Sequence, residues 1–246
     1  MNENLVFQQN RKVSSAFIDS QVKMGISQTV LMIQDNLTEL FGLLKCDGVT
    51  YREKFNVFWV FTKTKVDFTR RPKWTDEISV TTFPVSNTGL RTNVNTVIKD
   101  DSGNDMIYAN MEACVLSLEN HRPVRLGTLT YPDSDFPPPC FSKPFEKFPS
   151  DFSESDFVYE QEIRSQNIDM SGHMNNNEYI KFALNVFDGD FLLSHEVKSL
   201  EVHYNGESRE KQILKVWSKK IDGAFYVMIS ESGRNIFEMK IEFYEE

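Results

Sequence analysis

The sequence predicts an α+β chain built from two tandem copies of one unit, each an antiparallel sheet wrapped around a long central helix. Three observations carry this. Ile26, Val30, Ile33, Leu37, Leu40 and Leu44 form an apolar stripe at helical spacing, sustained for about five turns. A series of strand-like segments follows it, and the same order of strand, helix and strands returns after residue 157. At an offset of 150, Phe7 matches Phe157, Ser15 matches Ser165, Ile18 matches Ile168, Asp19 matches Asp169 and Met24 matches Met174. One helix cannot cover that many strands unless the sheet curls around it. That arrangement is the hot-dog fold, and two copies in one chain make a double hot-dog.

Residues 5–19 read as strand material, and the first helix follows, with Gly42 and Gly48 at its exit. Residues 52–69 are apolar on both alternations, Phe55, Val57, Trp59 and Phe61 against Phe58 and Val60, which predicts a strand covered on both faces. Ile78, Val80 and Thr82 alternate with polar residues, as in a half-exposed strand. Segments 90–99 and 105–118 read as strands joined by the turn residues Asp100 to Asn104. Residues 131–156 hold six of the nine prolines together with Phe136, Phe141, Phe145, Phe148 and Phe152. This Pro/Phe-rich linker separates domain 1–130 from domain 157–246, and its phenylalanines predict that it is pinned along the surface. In the second copy a helix is expected over Ile180, Ala183, Leu184 and Phe187, with strands at 197–206, 212–219, 223–231 and 235–244. The turn Ser232-Gly233-Arg234 echoes Ser102-Gly103-Asn104 at an offset of 130, so the second copy is shorter between helix and hairpin.

Composition excludes several classes. With 246 residues, 40% of them hydrophobic and 13% aromatic, the chain can bury a substantial core and is not disordered. The N-terminal residues lack a basic segment followed by an apolar one, and no apolar run reaches membrane-spanning length. A soluble, cytoplasmic protein without a membrane span is therefore expected. Three cysteines, Cys46, Cys114 and Cys140, are an odd number without framework spacing, which favours a reducing compartment. A net charge of −9 argues against nucleic acid as a partner. No glycine-rich phosphate loop, His-x-x-x-His or Cys-x-x-Cys pair occurs, so neither cofactor nor metal is expected.

The densest chemistry lies in the loop before the second helix, where Asp169, Ser171, His173, Asn175 and Asn176 fall within eight residues. Asn175 with Glu178 three residues later has the form of a capping box. The histidine and the carboxylate thus precede a helix N-terminus, whose free N–H groups can stabilise a developing negative charge. The first copy has Lys23 in place of His173, Gln21 in place of Ser171 and Gly25 in place of Asn175. Only the aspartate is shared. Asp19 is then a structural relic, the first copy is not catalytic, and Asp169 either joins the chemistry or merely braces its loop as Asp19 does.

The run Asp169-Met-Ser-Gly-His173-Met-Asn175-Asn176-Asn-Glu-Tyr179 resembles the signature of the acyl-acyl-carrier-protein (acyl-ACP) thioesterases, Asp-x-Asn-x-His-(Val/Met)-Asn-Asn-x-x-Tyr. Leu200 to Arg209 resembles that family's strand ending in Tyr-x-x-Glu-Cys, and Trp74 to Val80 and Arg122 to Leu126 fit its first half. The resemblance implies a double hot-dog fold whose first copy supplies acyl-pocket walls, and hydrolysis of acyl-ACP to free fatty acid, ending fatty-acid synthesis. It implies Glu207 as general base or water-positioning carboxylate, and Asp169 and His173 as the residues completing the network. It also implies acyl carrier protein as partner and is compatible with a homodimer. Because that partner is acidic, a local basic patch is needed, and Arg70, Arg71 and Lys73, or Lys215, Lys219 and Lys220, are candidates.

Two departures bear on mechanism. Ser171 replaces the family's middle Asn, so either a water bridges in place of the amide or that contact is dispensable. Ser208 replaces the Cys beside the glutamate, so a covalent cysteine does not suit this chain, and no Gly-x-Ser-x-Gly elbow occurs. Of the other histidines, His121 falls in a turn, His195 between helix and strand, and His203 on the strand leading to Glu207. Other readings are an acyl-CoA thioesterase, a hot-dog dehydratase and a non-catalytic acyl-binding protein.

Overall fold

A computed structural model of the chain describes residues 5–245. Met1 to Asn4, part of the N-terminal stretch in which no basic segment precedes an apolar one, lie outside the described residues, as does Glu246. The chain divides into two compact units, one ending at Lys143 and the other beginning at Pro144. The division falls inside the proline-rich segment.

The first unit contains β1 (Phe7–Lys12), α1 (Ile26–Leu43), α2 (Gly48–Phe55), β2 (Val57–Phe68), β3 (Glu77–Asn87), β4 (Arg91–Asp100), β5 (Asp105–Ser117) and the short β6 (Pro123–Val124). Its sheet runs β1-β3-β4-β5-β2, with β6 on β5, and every pairing is antiparallel. Val30, Ile33, Leu37 and Leu40 on α1 are all fully buried, while Leu31, Asp35, Thr38 and Glu39 face out. The helix is also tied to the sheet through polar atoms: Asn36 Nδ2 donates to Thr82 Oγ1 at 2.8 Å, and Thr82 and Thr96 share a hydroxyl contact at 2.8 Å.

Two expectations about this unit need correction. The strand read over 5–19 ends at Lys12 and gives way to a 3-10 turn at Ser15–Phe17. The strand read from residue 52 begins at Val57, because Asp47 caps α2 by accepting the Val49 and Thr50 N–H groups at 3.0 and 2.9 Å. Asn56 then takes a left-handed conformation, φ 55°, and ends that helix. Phe55 is therefore helical. From Val57 onward no residue of β2 is exposed.

The second unit contains β7 (Phe157–Glu162), α3 (Asn176–Leu184), α4 (Gly189–Ser194), β8 (Val197–Tyr204), β9 (Ile213–Ile221), β10 (Ala224–Glu231) and β11 (Arg234–Phe243). Its antiparallel sheet runs β8-β11-β10-β9-β7. The long helix expected here is short. Where α1 has 18 residues, α3 has nine. Asp188 caps α4 by accepting the Phe191 N–H at 2.7 Å, so the chain turns before the apolar stripe is complete. Phe187 leaves the helix and joins Phe191, Phe225 and Phe243 in a ring cluster with centroids 5.0–6.1 Å apart. Aromatic side chains thus occupy space that a longer helix would fill.

The proline-rich segment is held along its length. Phe141 N–H donates to Asn95 Oδ1 at 3.0 Å and its ring stacks on Tyr108 within the first unit. In the second unit, Phe148 lies flat on the His203 imidazole at 4.2 Å, and Lys219 Nζ sits over Phe152 at 4.7 Å. Among the described residues no helix is long and apolar enough to cross a membrane.

Leu37→Ala should cost about 2–5 kcal/mol in urea unfolding. Leu31→Ala, at a position 39% exposed, should cost under about 0.5 kcal/mol. Equal losses at both positions would mean that the buried face of α1 is misassigned.

Candidate functional site

After β7 the chain makes a 3-10 turn at Ser165–Asn167, then a tight reversal closed by a bridge between Ile168 and Met174. Asp169 N–H donates to the His173 carbonyl at 2.9 Å, and Gly172 N–H to the Asp169 carbonyl at 3.0 Å. Gly172 has φ 79°, where a side chain would be strained. Asp169 Oδ1 accepts twice from Ser171, from its N–H at 2.8 Å and from its hydroxyl at 2.5 Å. This fixed turn holds His173, whose Nδ1 lies 3.2 Å from Ser171 Oγ.

The loop is then stitched to the segment after β8. Met174 N–H donates to the Ser208 carbonyl at 2.8 Å, and this brings Glu207 Oε2 to 3.2 Å from His173 Nε2. The histidine side chain is 17% exposed and the glutamate 39%. Nε2 itself is buried, and the carboxylate approaches off its bonding axis, so the contact is close without being a hydrogen bond. Asp169, Ser171, His173 and Glu207 are therefore brought together.

The supporting residues fall differently. Asn175 caps α3 by accepting the Asn177 N–H at 2.8 Å. Glu178 does not reach back to it. Its carboxylate takes Asn167 Nδ2 at 2.8 Å and Lys181 Nζ at 2.6 Å, and its N–H donates to the Asn175 carbonyl at 2.9 Å, so the expected capping box is not made and Asn175 acts as a simple N-cap. Asn176 is the first helical residue, a position whose N–H has no intrahelical acceptor. Ser208 is fully buried against Tyr179, and neither hydroxyl closes a well-aligned hydrogen bond. Burial raises the Tyr179 pKa above its ordinary value, with the neighbouring Ser208 hydroxyl and backbone opposing the shift.

The first unit repeats this framework with different chemistry. Asp19 N–H donates to the Lys23 carbonyl at 2.9 Å, and Gln21 N–H to Asp19 Oδ1 at 2.9 Å. The shared aspartate thus braces the same turn in both copies. Met24 N–H donates to the Pro72 carbonyl at 2.7 Å, which puts Pro72 in the place of Ser208 and Arg71 in the place of Glu207. Flanking bonds agree: Val13 N–H to Asp76 O corresponds to Ile163 N–H to Gln212 O, both 2.9 Å. Thr75 and Lys211 share left-handed φ values of 73° and 72°. Arg71, 2% exposed at the side chain, pairs with the second oxygen of Asp19 and donates to the Met24 carbonyl at 3.2 Å.

Sequence reasoning missed Arg71 as the counterpart of Glu207. The residues around it, Thr69 to Pro72, share no identity with Asn205 to Ser208, so only the backbone bonds reveal the equivalence. Arg71 is consequently not part of a surface basic patch. Arg70 pairs with Asp100, Lys219 with Asp151 at 2.8 Å, and Lys220 lies over Phe225 at 4.8 Å. His203 is buried on the side of β8 opposite Tyr204, 2.8 Å from Glu201 Oε1. His195 stacks on Phe191, and His121 packs edge-on against Phe58. No group of three or more His, Cys, Asp or Glu that could hold a metal occurs among the described residues.

Two family models match the chain. Residues 4–128 match the acyl-ACP thioesterase N-terminal domain, and residues 151–245 match the acyl-ACP thioesterase C-terminal domain. Among solved structures, an acyl-ACP thioesterase from Bacteroides thetaiotaomicron superposes with TM-score 0.87 at 19% identity, covering 98% of this chain and 99% of that one. The 12:0-ACP thioesterase from Umbellularia californica superposes with TM-score 0.82 at 16% identity, covering 98% of each chain. At these identities the likeness is one of fold, and it bears out the double hot-dog expectation. No curated protein matches in sequence.

Arg71→Ala should destabilise the protein by about 2–3 kcal/mol, below the range for a fully buried pair because the Asp19 side chain keeps 29% exposure. Chemical denaturation measures this. A loss under about 0.5 kcal/mol, the scale of a surface charge, would show that the pair does not hold the loop.

Proposed function

The chain belongs to the acyl-ACP thioesterase family, and we propose from that premise that its second unit carries the hydrolytic site, with Glu207 and His173 activating water. The observation that carries this reading is the His173–Glu207 contact. A buried imidazole nitrogen lies 3.2 Å from a half-exposed carboxylate and forms no hydrogen bond with it. An unpaired buried polar atom is costly, and a catalytic role or a bound water is among the reasons one is kept. A water donating to both groups would complete this pair.

Hydrolysis then balances simply. The water oxygen bonds to the thioester carbon, and the His173–Glu207 pair takes up the water's proton. The tetrahedral oxyanion forms near the start of α3, where the Asn176 N–H is an available donor. The C–S bond breaks, the thiolate takes the proton held by the pair, and fatty acid and carrier thiol leave. Asp169 acts through the loop. It accepts from Ser171 and fixes the turn that carries His173. Ser208 supports by position, since its hydroxyl is buried and its carbonyl is used by Met174. We assign no catalytic role to the first unit, in which Arg71 occupies the position of the glutamate and neutralises Asp19.

Acyl chains of graded length, each presented on carrier protein and on CoA, should be hydrolysed with preference for the carrier-bound form. Turnover of CoA thioesters without that preference would make the chain an acyl-CoA hydrolase. No turnover of either would leave an acyl-binding protein. His173→Ala and Glu207→Ala should each lose about 10²-fold or more in kcat. Ser208→Ala should keep most of its activity. A dead Ser208→Ala beside an active Glu207→Ala would reverse these roles.

A further inference from the structure

We propose that Ser171 is a positioning residue that fixes which nitrogen of His173 exchanges the catalytic proton. The argument is one of proton bookkeeping. Ser171 Oγ lies 2.5 Å from Asp169 Oδ1, a separation that requires a proton between the two oxygens. A carboxylate only accepts, and serine has a single O–H, so the serine donates to the aspartate. Toward His173 Nδ1, 3.2 Å away, the serine can then offer only a lone pair. Nδ1 must be the donor, in the neutral ring as in the cation. The neutral imidazole therefore carries its proton on Nδ1, and Nε2, buried and facing Glu207, is the atom that gains and loses a proton. The opposite tautomer would set two lone pairs against each other at Ser171, whereas the Nδ1–H form sets the Nε2 lone pair beside the Glu207 carboxylate, where the water donating to both groups relieves the contact.

The hydroxyl is not there to form the loop. The first unit makes the same reversal around Asp19 using the backbone N–H of Gln21, a residue with no hydroxyl. Asp169 likewise receives the Ser171 N–H independently of the side chain. What the hydroxyl adds is the contact to the ring, and the first unit has no histidine at that place. Replacing the amide at this position by a hydroxyl therefore needs no bridging water, because one oxygen donates to the aspartate and accepts from the imidazole.

The catalytic consequence rests on the hydrolase reading, and a spectroscopic arm tests the assignment apart from activity. In full-length protein labelled with ¹⁵N-histidine, with His173→Gln identifying the ring signals, neutral His173 should show a protonated Nδ1. Ser171→Ala should move the ring toward the Nε2–H form while leaving the melting temperature unchanged. Its kcat should fall about tenfold, the scale of a net hydrogen bond, with KM unchanged, and Ser171→Thr should restore both spectrum and rate. Wild-type His173 found in the Nε2–H form, or Ser171→Ala altering neither spectrum nor kcat, would overturn the proposal. An inactive wild-type protein with the expected spectra would sink the hydrolase reading and leave the tautomer assignment standing.

Discussion

A backbone hydrogen bond from Met174 N–H to the Ser208 carbonyl, 2.8 Å long, governs the geometry of the second unit's site. It ties the loop entering α3 to the loop leaving β8. Residues far apart in sequence then share one small volume, with His173 on one side of the stitch and Glu207 on the other. Everything around it fixes these two approaches. The Asp169 turn sets the angle of the histidine, the Asn175 cap starts the helix directly behind it, and bonds between Ile163 and both Lys211 and Gln212 hold the far side of the second loop. Because the bond is between backbone groups, it does not depend on which side chains flank it.

That independence explains how one framework serves two copies with opposite electrostatics. The equivalent stitch runs from Met24 to Pro72. In the second copy a glutamate stands before it and leaves a histidine nitrogen without a hydrogen bond. In the first an arginine stands there and satisfies the aspartate. There the buried guanidinium pairs with the Asp19 carboxylate and donates to the Met24 carbonyl. The Glu207 carboxylate beside the His173 imidazole makes no such hydrogen-bonded pair, and on the proposed reading a water completes it.

The two copies also diverge in how they fill the concave side of the sheet. The first uses an 18-residue helix with a polar tie through Asn36 and Thr82. The second stops its helix at nine residues, and the Phe187 cluster takes up space beyond it. The periodicity of Ile180, Ala183, Leu184 and Phe187 fits a longer helix, but Asp188 caps a new one. Periodicity reports which residues are buried, not whether the backbone between them stays continuous. The same limit affected the segment around Phe55, where apolar alternation concealed a capped helical turn.

The sequence by itself determined the repeat, the order of elements, the buried stripe of α1 and the loop carrying Asp169, Ser171, His173, Asn175 and Asn176. These are local patterns, set by side-chain spacing and cap chemistry within a few residues. Glu207 was legible only through a family resemblance, since nothing in its own neighbourhood marks it. Tertiary structure alone decided that His173 Nε2 faces Glu207, that Ser171 bridges Asp169 to the ring, and that Arg71 is the counterpart of Glu207 and buried rather than exposed. These depend on which loop ends the sheets bring together. Strand pairing closes contacts between segments distant in sequence, and their register is fixed by backbone hydrogen bonds that carry no residue signature.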